Sequence, residues 1–443
     1  MKNPFSRAIR QRGGFPVLPG AFPLFGHLPM AYRGLPEAMT RWPEVGKIFW
    51  IHAGFGMWGL VCRGPEALEV LRSKACTSTH LQEISPAVAG ESLLSQDGAE
   101  HGHMRAAMNR PFQPSGLSAG AFGKMSAELL CELAGRWARQ GRAKVLPDVQ
   151  STALEIIFRM LGVTVSDIEP WRRRYRDLLL ANLNIRLRFP GSPAVRADKA
   201  REWIDAQLLE IVTAARRSKD TQSLVGALAH EEDDAGEPLT TRELIDNLRL
   251  LILGGHETIS STMAWMVLRL AHHPALWDSL VEEAKKGERV PETLDEARSF
   301  PFAEALFRET VRMHPAFGTM TRKVTGPLEL HGRTLPVGAL ALVDLWGISH
   351  DESLFPEPME FQPGRWLGRK VPPSAAEISQ FGAGPHFCLG YHLAWLEGVQ
   401  LAVALARTIG GKGLRPILRE ASDMEPIYVP TEHPSPGVTV DLR

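Results

Sequence analysis

The chain has 443 residues, and its 50 basic and 50 acidic side chains cancel, so no overall field directs it to nucleic acid or to an acidic surface. A hydrophobic share of 44% and a charged share of 23% are those of an ordinary globular protein, long enough to enclose a core and a cofactor. Four widely spaced cysteines, Cys62, Cys76, Cys131 and Cys388, make no CxxC pair and argue against a disulfide framework or a zinc site.

Free thiols suit a reducing compartment, so a cytoplasmic location is expected. Residues 1–30 carry Lys2, Arg7, Arg10 and Arg12 but no apolar signal-peptide run, and Pro16, Pro19 and Pro23 predict an irregular lead-in. Strand-like pieces follow at 47–51 and 58–62. Helical spacing then dominates, as in 126–139 and 200–215. After a polar loop at 231–237, further strand-like pieces fall at 328–330, 340–344 and 437–442. No window offers the roughly 18 uncharged apolar residues of a membrane span. Length alone would suggest two or three domains, but the pattern continues as one mainly α fold over residues 1–443 with a smaller β-rich region (α+β); a monomer without nucleic-acid or membrane partners is expected.

The most informative helix begins at Thr240, which with Glu243 has the spacing of a capping box. Its apolar pattern runs through Leu244, Leu248, Leu251, Ile252, Met263, Met266 and Leu268 until Pro274 forbids another turn. About 33 residues at 1.5 Å each give roughly 50 Å, enough to cross a domain. Its middle is odd, because Gly254 and Gly255 cost about 1 kcal/mol each relative to alanine. His256, Glu257, Thr258, Ser260, Ser261 and Thr262 then put a polar run inside an apolar rod. Two readings fit: a kink or the meeting of two helices, or glycines that let a flat ligand approach the backbone.

The segment from Phe381 to Gly390 carries the chemistry. Gly382, Gly384 and Gly390, with Pro385, Phe381 and Phe387, surround Cys388 just before an apolar helix at 391–409. The glycines permit positive-φ turns and close backbone approach. A cysteine at a helix mouth meets backbone N–H donors and the positive end of the dipole, both of which favour thiolate. A rigidly held thiolate suits iron, and in haem proteins it favours O–O cleavage. The alternative is a structural loop with a buried thiol.

At this point the chain resembles the cytochrome P-450 family. Residues 381–390 match its signature Phe-Gly-x-Gly-x-His-x-Cys-x-Gly in full. Gly254-Gly255-His256-Glu257-Thr258 looks like the family's oxygen-activating motif, with glycine where alanine is frequent. Glu309 to Arg312 is similar to its Glu-x-x-Arg, residues 361–366 to the motif that supplies a second arginine, Arg365, and His101 to Arg105 to its His-x-x-x-Arg. The motifs stand in family order, and the resemblance covers nearly the whole chain. Trp395, where arginine is common, and Ser349-His350-Asp351-Glu352 depart from the pattern.

The resemblance implies the single-domain fold of that family, with haem b (iron protoporphyrin IX) between the long helix and the cysteine loop. Cys388 would be the iron ligand, and Phe381, Gly382, Gly390, Gly254 and Gly255 would line the cofactor. His101, Arg105, Arg322 and His386 would receive the propionates. Glu257 and Thr258 would be the acid–alcohol pair, although a hydroxyl in a helix also bonds back to its own i−4 carbonyl. Glu309 and Arg312 share a helix face, and Arg365 would complete a buried structural triad; otherwise the pair is a solvated one of little worth.

The expected reaction inserts one atom of O2 into a lipophilic small molecule, by hydroxylation or epoxidation, in secondary metabolism. A ferredoxin or flavodoxin with its reductase would supply electrons, with Arg110, Arg369 and Lys370 as a docking patch or as ordinary solvated charge. Substrate would meet segments 81–94, 178–189, 250–253 and 316–320 and the tail near Tyr428. A peroxygenase or isomerase on the same haem-thiolate fold is the alternative, followed by a non-enzymatic haem sensor.

Overall fold

A computed structural model describes residues 10–27, 29, 43–54, 56–119, 122–163, 168–180, 188–218, 223–233, 235–420, 424–428 and 431–443. It is mainly helical with a smaller β-rich part, as predicted. The principal helices are α1 (Gly98–Asn109), α2 (Phe122–Gln140), α3 (Val145–Met160), α4 (Pro193–Arg217), α5 (Thr241–His272), α6 (Pro301–Met313) and α7 (Tyr391–Thr408).

The strands in chain order are β1 (Arg10–Arg12), β2 (Phe15–Val17), β3 (Ile48–His52), β4 (Trp58–Cys62), β5 (Cys76–Thr77), β6 (Arg142–Lys144), β7 (Thr319–Val324), β8 (Glu329–Leu330) and β9 (Arg333–Thr334). They continue with β10 (Leu340–Asp344), β11 (Pro416–Leu418), β12 (Pro426–Ile427), β13 (His433–Pro434) and β14 (Thr439–Leu442). A seven-stranded sheet has the order β1-β2-β3-β4-β10-β7-β5, with β2–β3 and β4–β10 parallel. A second sheet, β11-β14-β6, joins the C-terminal strand to the start of α3, and β8–β9 and β12–β13 are short hairpins.

The lead-in is not irregular throughout. Arg12 pairs with Phe15 and Arg10 with Val17 in a hairpin that joins the large sheet through Val17 and Trp50. Gly13 and Gly14 turn the chain with φ of 51° and 79°, the pair of positive values that a tight hairpin requires. Residues 1–9, 28 and 30 lie outside the described residues.

α5 forms as its sequence directs. Thr240 Oγ1 accepts from the Glu243 N–H at 3.2 Å, and Glu243 Oε2 accepts from the Thr240 N–H at 2.7 Å. The helix runs unbroken across Gly254 and Gly255, so they do not mark a junction of two helices. It ends where Pro274 pushes His273 out of helical geometry, to φ −123° and ψ 83°. Most side chains from Leu244 to Ala271 are buried, because α3, α4, α6 and α7 all pack against this rod.

α7 comes nearest to a membrane span by composition. An 18-residue window within residues 384–412 has a mean hydropathy of 1.2, although α7 carries Glu397 and Arg407 and so is not an uncharged run. Two thirds of that window is buried in this fold, where α7 packs on α2, α5 and α6. Burial all round accounts for its apolarity.

Candidate functional site

The cysteine loop is built from the backbone outward. The Cys388 N–H donates to Phe381 O at 2.8 Å, and the Gly382 N–H donates to Ser379 O at 2.8 Å. Gly382 and Gly384 have φ of 82° and 65°, where a side chain would be strained. Gly390 does not share this reason: its φ is −85°, it caps α7, and a Cβ there would meet nothing within 4 Å. Phe381, Phe387 and Tyr391 form a cluster of rings beside the loop, with Phe381 edge-on to Tyr391 at 4.8 Å.

Burial pushes the Cys388 thiol above its usual pKa, while the Gly390 N–H and the Arg105 guanidinium pull it back. These are the two influences that stabilise sulfur as an anion. Arg105 is itself tied to the loop, since its Nη1 donates to Phe387 O at 2.8 Å.

His101, Arg105, Arg322 and His386 come together, although 285 positions separate the first from the last. The His101 and His386 rings lie 4.3 Å apart. His101 is buried, and desolvation together with the charge of His386, Arg105 and Arg322 lowers its pKa to about 4. Arg322 is buried as well, on β7, with Nη1 donating to Thr321 O at 2.8 Å.

The sequence reading missed Asp97, the carboxylate of this cluster. Its Oδ1 accepts from His386 Nε2 at 2.9 Å and Ser78 Oγ at 2.8 Å, and its Oδ2 from Thr77 Oγ1 at 2.6 Å and the Ser78 N–H at 2.7 Å. Burial opposes its charge, but these donors outweigh burial and hold it well below the usual carboxylate range. Its place just before α1 was the only sequence signal.

On α5, Gly254 is exposed in the middle of a buried helix, and a Cβ there would meet nothing within 4 Å. Gly255 has a different reason: its added Cβ would lie 2.6 Å from Ile157 Cδ1, so glycine there lets α3 approach α5. Thr258 Oγ1 donates to Gly254 O at 2.6 Å. Glu257 turns toward α3 and accepts from Gln150 Nε2 at 3.5 Å, with His256 Nε2 3.9 Å away.

Glu309, Arg312 and Arg365 form the expected buried triad. Arg312 holds Glu309 with Nε to Oε2 at 2.9 Å and Nη2 to Oε1 at 2.8 Å, and Arg365 Nε donates to Oε1 at 3.1 Å. Trp366 Nε1 and the Gln362 N–H add bonds of 2.8 Å each. Burial raises the Glu309 pKa, but these donors win and leave it below its usual value. Arg312 also caps the carbonyls of Ser349, Pro358 and Glu360, so the triad pins the connection that leads to the cysteine loop.

Of the surface cations, Arg110 pairs with Glu231 at 3.2 Å and Arg369 with Glu377 at 2.6 Å. Segment 81–94 is anchored to α5, with the Glu91 N–H on Asp246 Oδ2 at 3.0 Å and the Leu93 N–H on Asn247 Oδ1 at 2.9 Å. Residues 181–187 of the predicted pocket segment lie outside the described residues.

The residues present fit a flat, doubly anionic ring with a sulfur ligand. Two arginines and two histidines converge around a single carboxylate that Thr77, Ser78 and His386 already occupy. A Cβ added at Gly254 or Gly390 would meet no protein atom within 4 Å, so both leave room for a flat group to approach the backbone. The fold and this cysteine loop define a haem-thiolate monooxygenase. Comparison with known proteins agrees. The sequence profile described as Cytochrome P450 matches residues 16–409. Cytochrome P450 BJ-4 homolog of Sinorhizobium fredii is 39% identical over 99% of this chain and 98% of its own length. Cytochrome P450 BJ-4 of Bradyrhizobium diazoefficiens is 38% identical with the same coverage. In fold, the retinoic acid-bound cyanobacterial CYP120A1 is similar with a TM-score of 0.84 at 22% identity, covering 97% of this chain and 99% of that one. The chain belongs to the cytochrome P450 family.

Proposed function

We propose that this cytochrome P450 monooxygenase hydroxylates or epoxidises a lipophilic small molecule of secondary metabolism. It works as one cytoplasmic, monomeric catalytic domain that takes electrons from a separate ferredoxin or flavodoxin with its reductase. The observation that carries the reading is the bare backbone at Gly254 with the Thr258 hydroxyl one turn on.

Haem, when bound, supplies an electron-rich iron at which O2 is reduced and split. Cys388 would hold it, with the Gly390 N–H and Arg105 favouring the thiolate. His101, Arg105, Arg322 and His386 would receive the two propionates, with Asp97 orienting His386. Thr258 Oγ1 donates its proton to Gly254 O and so keeps its lone pairs free to accept from a water. Glu257 and Thr258 are adjacent on the helix and so point about 100° apart. A proton passing between them therefore travels through solvent water. His256, which donates to Ile252 O and stays neutral through burial, offers no charge to that route.

Turnover with isotope-labelled O2, a ferredoxin pair and a panel of terpenoids, polyketides and fatty acids tests the reading. Label in the product, dependent on both O2 and reductant, supports it. Product formed from peroxide alone, with no stimulation by reductant, would favour the peroxygenase alternative.

A further inference from the structure

A second buried polar cluster lies away from the cysteine loop. His314 ends α6, and its ring stacks on Trp265 of α5 with centroids 3.8 Å apart and planes within 5°. Arg269, one turn along α5, donates to His314 Nε2 from Nε at 3.1 Å and from Nη2 at 2.8 Å. Nε2 therefore accepts, which places the ring proton on Nδ1. That Nδ1–H donates to Glu432 Oε1 at 2.6 Å. Arg269 and Glu432 are thus joined through a neutral imidazole.

Glu432 stands where the tail enters β13, and it is only 3% exposed. Its backbone serves the same end as its side chain. The Glu432 N–H donates to Ala316 O at 2.9 Å, and its carbonyl accepts from Ser261 Oγ. One tail residue therefore reaches α5, the end of α6 and the loop at 316–318. Burial raises the Glu432 carboxyl well above its ordinary pKa and lowers Arg269 to about 10, so burying these polar groups is an expensive way to gain stability here. Glu432 Oε2 and Trp265 Nε1 have no hydrogen-bond partner among the described residues. Apolar side chains of the same volume would fill this space at lower cost. What a polar relay gives in exchange is fixed register between the elements it joins.

We propose that Arg269, His314 and Glu432 form a positioning relay that holds the loop 316–320 and the β12–β13 hairpin against α5, and so sets the shape of the substrate pocket. This rests on the reading that both segments line that pocket. Azole ligands test it, because their nitrogen binds the iron while their substituent samples the pocket. Wild type, Glu432→Gln and Ser261→Ala would be titrated with imidazole and with 4-phenylimidazole, following the haem absorption band, with Tm measured alongside.

Glu432→Gln keeps the shape and an acceptor for His314 but removes the ionisable carboxyl. The expected result is a loss of about tenfold in 4-phenylimidazole affinity with less than about twofold change for imidazole. Ser261→Ala is expected to shift the same ratio in the same direction, and it carries the test if Glu432→Gln does not fold. Equal changes for both azoles, or a fall in Tm with both affinities unchanged, would overturn the proposal. Ala316→Trp separates the two levels of the argument. If it leaves 4-phenylimidazole binding unchanged, the loop does not line the pocket and the underlying reading fails; if it alone alters binding, only the relay fails.

Discussion

The hydroxyl of Thr258 donates to the carbonyl oxygen of Gly254 at 2.6 Å, one turn back along the 241–272 helix. A threonine bonded in this way is also a purely structural possibility. Gly254 is nevertheless the one exposed residue between Leu244 and Ala271, and a Cβ there would meet nothing within 4 Å, so the bond fixes a hydroxyl beside that opening. The two roles separate by experiment. Thr258→Ala is expected to keep haem while product formed per reductant falls about tenfold or more and hydrogen peroxide rises. Thr258→Ser, which retains the hydroxyl, should recover most of the coupling. Unchanged coupling in the alanine variant would leave only the structural role.

The adjacent glycines should respond oppositely to the same substitution. Gly254→Ala adds a methyl that meets nothing, and the gain in helix propensity is about 1 kcal/mol. Gly255→Ala places its methyl 2.6 Å from Ile157 Cδ1, so part of that gain is lost in moving the isoleucine. Thermal melts should put Gly254→Ala above wild type and Gly255→Ala below Gly254→Ala. The reverse order would contradict the assignment of Gly255 to helix packing.

Glu309→Ala removes the acceptor for Arg312, Arg365, Trp366 and the Gln362 N–H together. Leaving buried Arg312 without its carboxylate costs about 3–5 kcal/mol. The variant should yield little haem-loaded protein, and Arg365→Ala, whose guanidinium is partly exposed, should be milder. Haem content and Tm after expression check both.

Glu397 on the 391–408 helix gives a pH dependence. Burial raises its pKa to about 8 in the folded chain, and its Oε1 has no partner among the described residues. Its folded pKa lies above the ordinary value of 4.5, so its contribution to stability is fully present below 4.5 and is lost as pH rises through about 8. Glu397→Gln removes the ionisation. Its Tm should match wild type near about pH 5 and exceed it by several degrees near about pH 8.5. A difference that does not grow with pH would show that the carboxyl ionises without penalty.

Much of this was legible in the sequence because local rules acted alone. The capping box at Thr240 and the stop at Pro274 fixed the long helix nearly to the residue, and the strands 58–62 and 340–344 fell where short strand-like pieces were expected. The Cys388 loop was legible because its glycines and proline answer local backbone demands. What escaped was set by partners distant in sequence. Asp97 gained its meaning only when the fold delivered Thr77, Ser78 and His386 to it. Gly255 looked like a ligand glycine until α3 brought Ile157 alongside. The hairpin at Arg10–Val17 was legible in Gly13-Gly14 but was hidden by the neighbouring prolines. His314 and Glu432, 118 positions apart, carried no local signal at all.

The account stands on the sulfur of Cys388. The most direct measurement is the absorption spectrum of the reduced, carbon monoxide-bound protein, for wild type and for Cys388→Ser. Thiolate ligation should give wild type the strongly red-shifted main band, and the serine variant should lose it whether or not haem is retained. A wild-type spectrum without that shift, in protein shown to contain haem, would contradict the assignment of Cys388 as the iron ligand.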